Sequence, residues 1–345
     1  MTDPVKRDIT PGMTLHGVRR DKTKGNNWAQ YTVGEPLKSA DNRGEGGAGY
    51  LHRLLPRSKP RLVGKFYKSS TRTRLQRDRE YAQRLIYLVF NRHILLHDLP
   101  FVAWPRRCLF LHKPQTPQEM RSALIGITMA ELADTRPLSA YLGNPDYRDV
   151  MTPTLAAKIG VTIAQQLALM HAHPWRFVLG DFSANNIHIH ADLKKVTFID
   201  ADSYQFTGTA KGETHLFFNG NVTPHYESPD MDAMRKAGEF KTSHDDFLLA
   251  INLYYLLLAG FKVPRHPFEA RDSTHGELIR KRIFPVDNPK TYAQPQSVVD
   301  AYRCLPEPVR KAFTRTFSTP SVVTASEWAA ILKNTAVIRE LAYAS

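Results

Sequence analysis

The sequence predicts an α+β fold in two lobes. Strand-like alternation governs the first third of the 345 residues, helical spacing governs the rest, and the change falls near Leu132 to Leu138. A hydrophobic fraction of 42% is enough for real cores and excludes a globally disordered chain. The division expected is a flexible extension over residues 1–30, a small β-rich lobe over 31–132 and a larger helical lobe over 133–345.

Each element has a local reason. The first thirty residues are polar and charged without a period, which is why they read as an extension. Tyr31-Thr32-Val33 gives the first strand signal, and four glycines then fall within the six positions Gly44 to Gly49. Tyr50 to Leu55 and Arg61 to Lys68 read as strands on either side of a proline turn. Thr73 to Asn91 has helical spacing, with Leu75, Tyr81, Leu85 and Val89 near one face. Pro100 to Leu111 is mixed and strand-like, and Ala123 to Ala130 reads as a buried strand. Leu155 to His171 is a strong amphipathic helix. Short strands are expected at Phe177–Leu179, Ile187–Ile189 and Val196–Ile199, and a loop at 207–225. Asp245 to Gly260 reads as a helix buried on most sides. Helices close the chain around Glu307 to Phe317 and Ala325 to Ala342.

Lys+Arg of 47 against Asp+Glu of 33 gives a formal net charge of +14. Such an excess suits nucleic acid, an anionic membrane surface, an acidic protein partner or nucleotide phosphates. It is dispersed in short clusters, and no known reader motif accompanies it, so nucleic acid is not expected. An acidic protein substrate stays open. Cys108 and Cys304, the only cysteines, cannot by themselves make a disulfide framework or a zinc site. The N-terminus lacks the apolar run of a secretory signal, and Phe247 to Phe261 is too short to span a bilayer. The expectation is a soluble, cytoplasmic protein with reduced thiols.

Gly44-Glu45-Gly46-Gly47-Ala48-Gly49 satisfies G-x-G-x-x-G. Alone this is weak, since a flexible hairpin would look the same, but the strand-like residues that follow argue against a dinucleotide-binding helix. Lys65 lies sixteen residues on, inside an apolar strand, where an ammonium group is costly without anionic partners. Nucleotide phosphates and Glu80, fifteen residues further on a helix, would supply them; a solvent-facing lysine is the plain alternative. Asp181 and Asn186 stand five apart after a helix, and Asp200 ends a strand fourteen residues later. An aspartate so placed can orient an attacking hydroxyl, and the asparagine and second aspartate offer hard oxygens to Mg²⁺. Turn-capping explains each residue singly but not the joint order.

This series resembles the protein-kinase superfamily over roughly residues 30 to 340. Ala103-Trp104-Pro105, the Gly180-Asp181 loop and Asp200-Ala201-Asp202-Ser203-Tyr204-Gln205 are similar to the atypical bacterial kinase-like proteins often encoded beside PP2C-type phosphatases. The resemblance implies a bilobal protein-kinase-like fold with ATP between a β-rich N-lobe and a helical C-lobe. It implies that Gly44, Gly46, Gly49, Leu51, Val63, Lys65, Met129, Ala130, Glu131 and Leu132 bind the nucleotide. Glu80 would hold Lys65, Asp181 would be the catalytic-loop aspartate, and Asn186 and Asp200 would hold Mg²⁺, or Mn²⁺. Thr223 to Asp230 resembles the end of the activation segment, Asp245 the helix aspartate that braces the catalytic loop, and His266-Pro267-Phe268 the element after that helix. Thr207, Thr209, Thr214 and Thr223 fall in the segment as candidate phosphorylation sites.

The departures are specific. Leu179-Gly180 replaces His-Arg before Asp181, which removes the arginine on which a phosphorylated segment docks. Ser183 stands where the family has a lysine. The glutamate of Ala-Pro-Glu is Asp230, and its usual arginine partner aligns with Val322-Val323. His188 and His190 alternate on a strand and read as structural or surface residues. The activity implied is ATP- and Mg-dependent serine/threonine protein phosphorylation in bacterial signalling, with a PP2C-type phosphatase as a partner. A pseudokinase scaffold and a small-molecule phosphotransferase are the alternatives.

Overall fold

The computed structural model describes residues 9–21, 25–37, 49–210 and 213–344. The chain divides into two compact units, Met1–Ala133 and Asp134–Ser345. No helix among the described residues is long and apolar enough to cross a membrane.

The first unit is built on six antiparallel strands: β1 (Thr14–Asp21), β2 (Gly25–Pro36), β3 (Gly49–Leu55), β4 (Leu62–Tyr67), β5 (Arg107–Phe110) and β6 (Gly126–Ala130). They close into a barrel in the order β1-β2-β3-β4-β6-β5. Alternation sorts the strands into two faces. One, with Leu15, Val33, Leu54 and Phe66, packs with Leu109 and Ile125. The other, with Val18, Tyr67, Cys108 and Ile127, packs under Leu75, Tyr81, Leu85 and Val89 of the helices. Cys108 is fully buried, which pushes its thiol far above its ordinary value.

The helices between β4 and β5 depart from expectation. The periodicity predicts one helix over 73–91, but there are two, α1 (Ser69–Arg77) and α2 (Arg79–Phe90). Asp78 is extended, with φ −99° and ψ 97°, and its carboxylate accepts from the Glu80 and Tyr81 N–H groups, so it caps α2 instead of continuing α1. Two short helices follow, α3 (Arg92–Asp98) and α4 (Pro117–Ser122). The extension expected over residues 1–30 is corrected as well. Residues 14–21 and 25–30 are paired strand, and Leu15 and Val18 are completely buried, one in each of the two clusters that flank the sheet.

The second unit is mostly helical. Its strands are β7 (Thr135–Pro137), β8 (Ile187–His190) and β9 (Val196–Phe198), which pair in that order, and the hairpin β10 (Phe206–Ala210) and β11 (Glu213–Phe217). Its helices are α5 (Leu138–Gly143), α6 (Pro145–Arg148), α7 (Pro153–Ala172), α8 (Met231–Ala237), α9 (Thr242–Gly260) and α10 (His275–Arg280). Then come α11 (Gln296–Arg303), α12 (Glu307–Ser318), α13 (Ala325–Lys333) and α14 (Thr335–Tyr343). Helix α9 is buried along nearly its whole length, which is why its sequence shows so little amphipathic contrast. It packs against α7, α12 and α5.

Three stretches of this unit differ from expectation. Phe177–Leu179 makes only an isolated bridge, Val178 to Gln205, instead of a strand. The loop expected over 207–225 contains the β10–β11 hairpin, held by Phe206 on Phe217 with ring centroids 4.9 Å apart. The single C-terminal helix is split at Asn334, whose side chain caps α14.

Candidate active site

The centre of the second unit is a loop tied to α9 by its backbone. The Asp245 carboxylate accepts from the Leu179 N–H at 2.6 Å and the Gly180 N–H at 2.9 Å. His171, in the last turn of α7, meets the same carboxylate through Nε2 at 3.1 Å. His244 Nε2 pairs with the Gly180 carbonyl at 2.8 Å, and its Nδ1 with Ser228 Oγ at 2.8 Å. Asp245 is fully buried, so each bond replaces water that the site excludes. Gly180 has φ +71°, and a Cβ there would come within 3.2 Å of the Phe240 ring. Glycine meets both conditions at once.

This bracing fixes Asp181. The Thr223 N–H donates to Asp181 Oδ1 at 3.0 Å, and Asn186 Nδ2 donates to the Asp181 carbonyl at 2.8 Å. Burial pushes the Asp181 carboxyl above its ordinary value; the bonds from Thr223 and Asn186 oppose this, and the charge on Asp200 adds to it. Asp200 follows β9 in the left-handed region, at φ +65°, and its carbonyl accepts from Ser203 N and Oγ. Asn186 and Asp200 are joined through backbone, because the Ile199 N–H donates to the Asn186 carbonyl at 3.0 Å. Behind the loop, Phe182 is buried against Phe198, and Asn252 of α9 donates to the Phe182 carbonyl. Ser183 is buried, with a hydroxyl that has no hydrogen-bond partner.

Among the described residues, no set of three or more carboxylates, imidazoles or thiolates converges on a metal position. Magnesium held by one carboxylate, one amide oxygen and phosphate oxygens needs none, and the donors of Asn186 and Asp200 are of the right hard-oxygen type. His188 and His190 hydrogen-bond to Thr135 and Thr197, a structural use.

In the first unit, β-sheet register brings four of the ten expected nucleotide residues onto one face. Leu51 pairs with Lys65 and Lys65 with Ile127, while Val63 pairs with Met129, so Leu51, Val63, Lys65 and Met129 share one sheet face. Gly49 opens β3 opposite Tyr67, where a Cβ would collide with the Phe66 carbonyl oxygen. Ala130 ends β6, and the Glu131 N–H is bonded to the Arg61 carbonyl, with its carboxylate paired to Arg53 at 3.3 Å. Leu132 lies just beyond. Glu80 is exposed in the first turn of α2. Gly44 and Gly46 lie outside the described residues.

No protein-family model matches the chain, and no curated protein matches it. Solved structures do. The ROP18 kinase domain in complex with AMP-PNP and sucrose superposes with a TM-score of 0.54 at 15% identity, over 97% of this chain and 84% of that one. The fold is that of a protein kinase domain. The bracing by Asp245 was readable from the His244-Asp245-Asp246 segment, but the hydrogen bonds of His171 and His244 were missed. A polar residue in the last turn of an otherwise buried helix, as His171 is, was the available signal. Arg282 was missed entirely. Its Nη2 lies 3.3 Å from Asp230 Oδ2 and its Nη1 donates to the Thr319 carbonyl at 2.7 Å, so an arginine 52 positions away in sequence pairs with Asp230 where Val322-Val323 cannot.

Proposed function

We propose that this kinase-like chain is an active, atypical phosphotransferase. It would transfer the γ-phosphoryl group of ATP to serine or threonine hydroxyls of a protein. The observation that carries this reading is the state of Asp181: its carboxylate is oriented by the Thr223 N–H, and its backbone is clamped by Asn186 and, through Gly180, by Asp245. A chain kept only for its shape has no need to hold that carboxylate in place. Phosphoryl transfer asks a protein for positioning and charge stabilisation more than for covalent chemistry.

In this reading Asp181 accepts the hydrogen bond of the acceptor hydroxyl and aims its oxygen at phosphorus. Lys65 holds the phosphates, and Glu80 supports Lys65. Leu51, Val63 and Met129 offer an apolar sheet face to the adenine, with backbone contacts from Ala130 to Leu132. Gly44, Gly46 and Gly49 would cover the phosphates. Asn186 and Asp200 would hold Mg²⁺, which neutralises charge on the phosphates when bound. The two-lobed arrangement, the bacterial setting, the PP2C-type phosphatase partner and an acidic protein substrate belong to the same proposal and rest on the motif resemblance. Gly180, where the family has arginine, favours an enzyme that works without a docked phosphorylated segment.

The test is transfer of label from ATP with Mg²⁺ or Mn²⁺, alone and with a generic protein acceptor. Wild type should incorporate label, and Asp200→Ala should lose it by at least roughly a hundredfold. Equal incorporation would refute the assignment. Nucleotide-dependent thermal stabilisation without transfer would favour the pseudokinase.

A further inference from the structure

Strand β1 outruns β5. Its pairing with β5 ends at Val18 opposite Cys108, while Arg19, Arg20 and Asp21 continue against β2 alone. The corner left open is a concavity of about 270 Å³ lined by Arg19, Arg20, Asp21, Val89, Phe90, Arg92, His93 and Arg106. Four guanidinium groups thus face one carboxylate. Arg92 and Arg106 are half-buried on the wall. Arg92 Nε is cut off from solvent and has no hydrogen-bond partner. Burial lowers Arg92 to about 10, with Arg106 and Arg19 adding repulsion, and Arg106 is lowered in the same way by burial and Arg19. Half-burying like charges costs stability unless an anion sits among them. The Arg106 backbone N–H is anchored to the Thr128 carbonyl, and Val89 and Phe90 belong to the packing of α2, so the cavity is fixed by the core below it.

We propose that this corner of the first unit is a binding site for a compact phosphate-class anion carrying two or more charges. Planar forks from several directions suit phosphate oxygens, and the volume suits a phosphate or diphosphate group with little else. The site lies wholly within the first unit and involves none of the residues assigned to phosphoryl transfer. It therefore stands whether or not the chain is an active kinase.

Titration calorimetry of the full chain with inorganic pyrophosphate at low ionic strength tests this. A Lys65→Met background removes the contribution of the proposed nucleotide site. Arg106→Gln and Arg20→Gln should each weaken binding by roughly tenfold or more. In anion-free buffer Arg106→Gln should melt no lower than its parent, since it relieves repulsion. A phosphoserine peptide that competes with pyrophosphate identifies a phosphorylated side chain as the source; a peptide that does not compete identifies a free anion. Absence of pyrophosphate binding, unchanged affinity in both variants, or binding of a short DNA duplex in place of pyrophosphate would overturn the site. Because Arg20 is exposed, its substitution keeps the test decisive if Arg106→Gln fails to fold.

Discussion

Asp245 does with one buried side chain what several surface contacts could not. It satisfies two backbone donors of the loop and one imidazole, in a place where each unmet donor would cost about 1–3 kcal/mol. His171 then becomes a titratable part of the brace. Burial alone would lower its pKa, but the hydrogen bond and charge of Asp245, with Asp246 adding, raise it above 6.5 overall. A raised imidazole contributes stability that is fully present below the unfolded value of 6.5 and is lost as pH rises through the folded value. His171→Gln should therefore destabilise the protein more at pH 5.5 than at pH 8.5, measured as the shift in denaturant midpoint at each pH. An equal loss at both pH values would show that the imidazole acts by packing alone. Nothing in the local sequence singled out this pair, because the partners stand 74 residues apart.

At the scale of elements, the helices that could be read were those whose packing is deep and uniform. α7 and α9 lie within three residues of their expected bounds because long apolar runs leave no competing conformation. The errors fall where a short polar side chain interrupts a periodic run. Asp78 and Asn334 each bond the backbone two residues ahead, and hydrophobic periodicity is blind to that competition. Asp78→Ala should cost about 1 kcal/mol of stability in the first unit through the lost cap, read by chemical denaturation. A neutral result would mean that packing of Tyr81 and Leu85 alone starts α2. The site was legible to a similar degree. Asp181, Asn186 and Asp200, the residues proposed for phosphoryl transfer, stand out by spacing within one short stretch. The backbone donor of Thr223 and the Arg282–Asp230 pair depend on long-range folding that spacing does not encode.

The whole molecule keeps a kinase fold with little sequence in common with the solved domain it superposes on. Core positions demand only apolar volume, so many sequences satisfy the architecture and few letters need persist. What was illegible at this scale is the closure of the first sheet. β1 looked like part of a polar extension because its outward residues are charged, and its two buried anchors, Leu15 and Val18, are too few to stand out. A chain starting at Gly25 should lose cooperative unfolding of the first unit, visible as early proteolysis between residues 49 and 133. Retained resistance would show that β1 is dispensable. Closure has a further consequence for recognition. Every strand of the ring has two hydrogen-bonded neighbours, in the cycle β1-β2-β3-β4-β6-β5. The ring therefore presents no edge strand onto which an incoming peptide could zip along its full length. Apart from residues 19–21 of β1, which pair with β2 alone, a macromolecule that docks on the strands of the ring must read their side chains, and self-association by strand exchange would require the ring to break first.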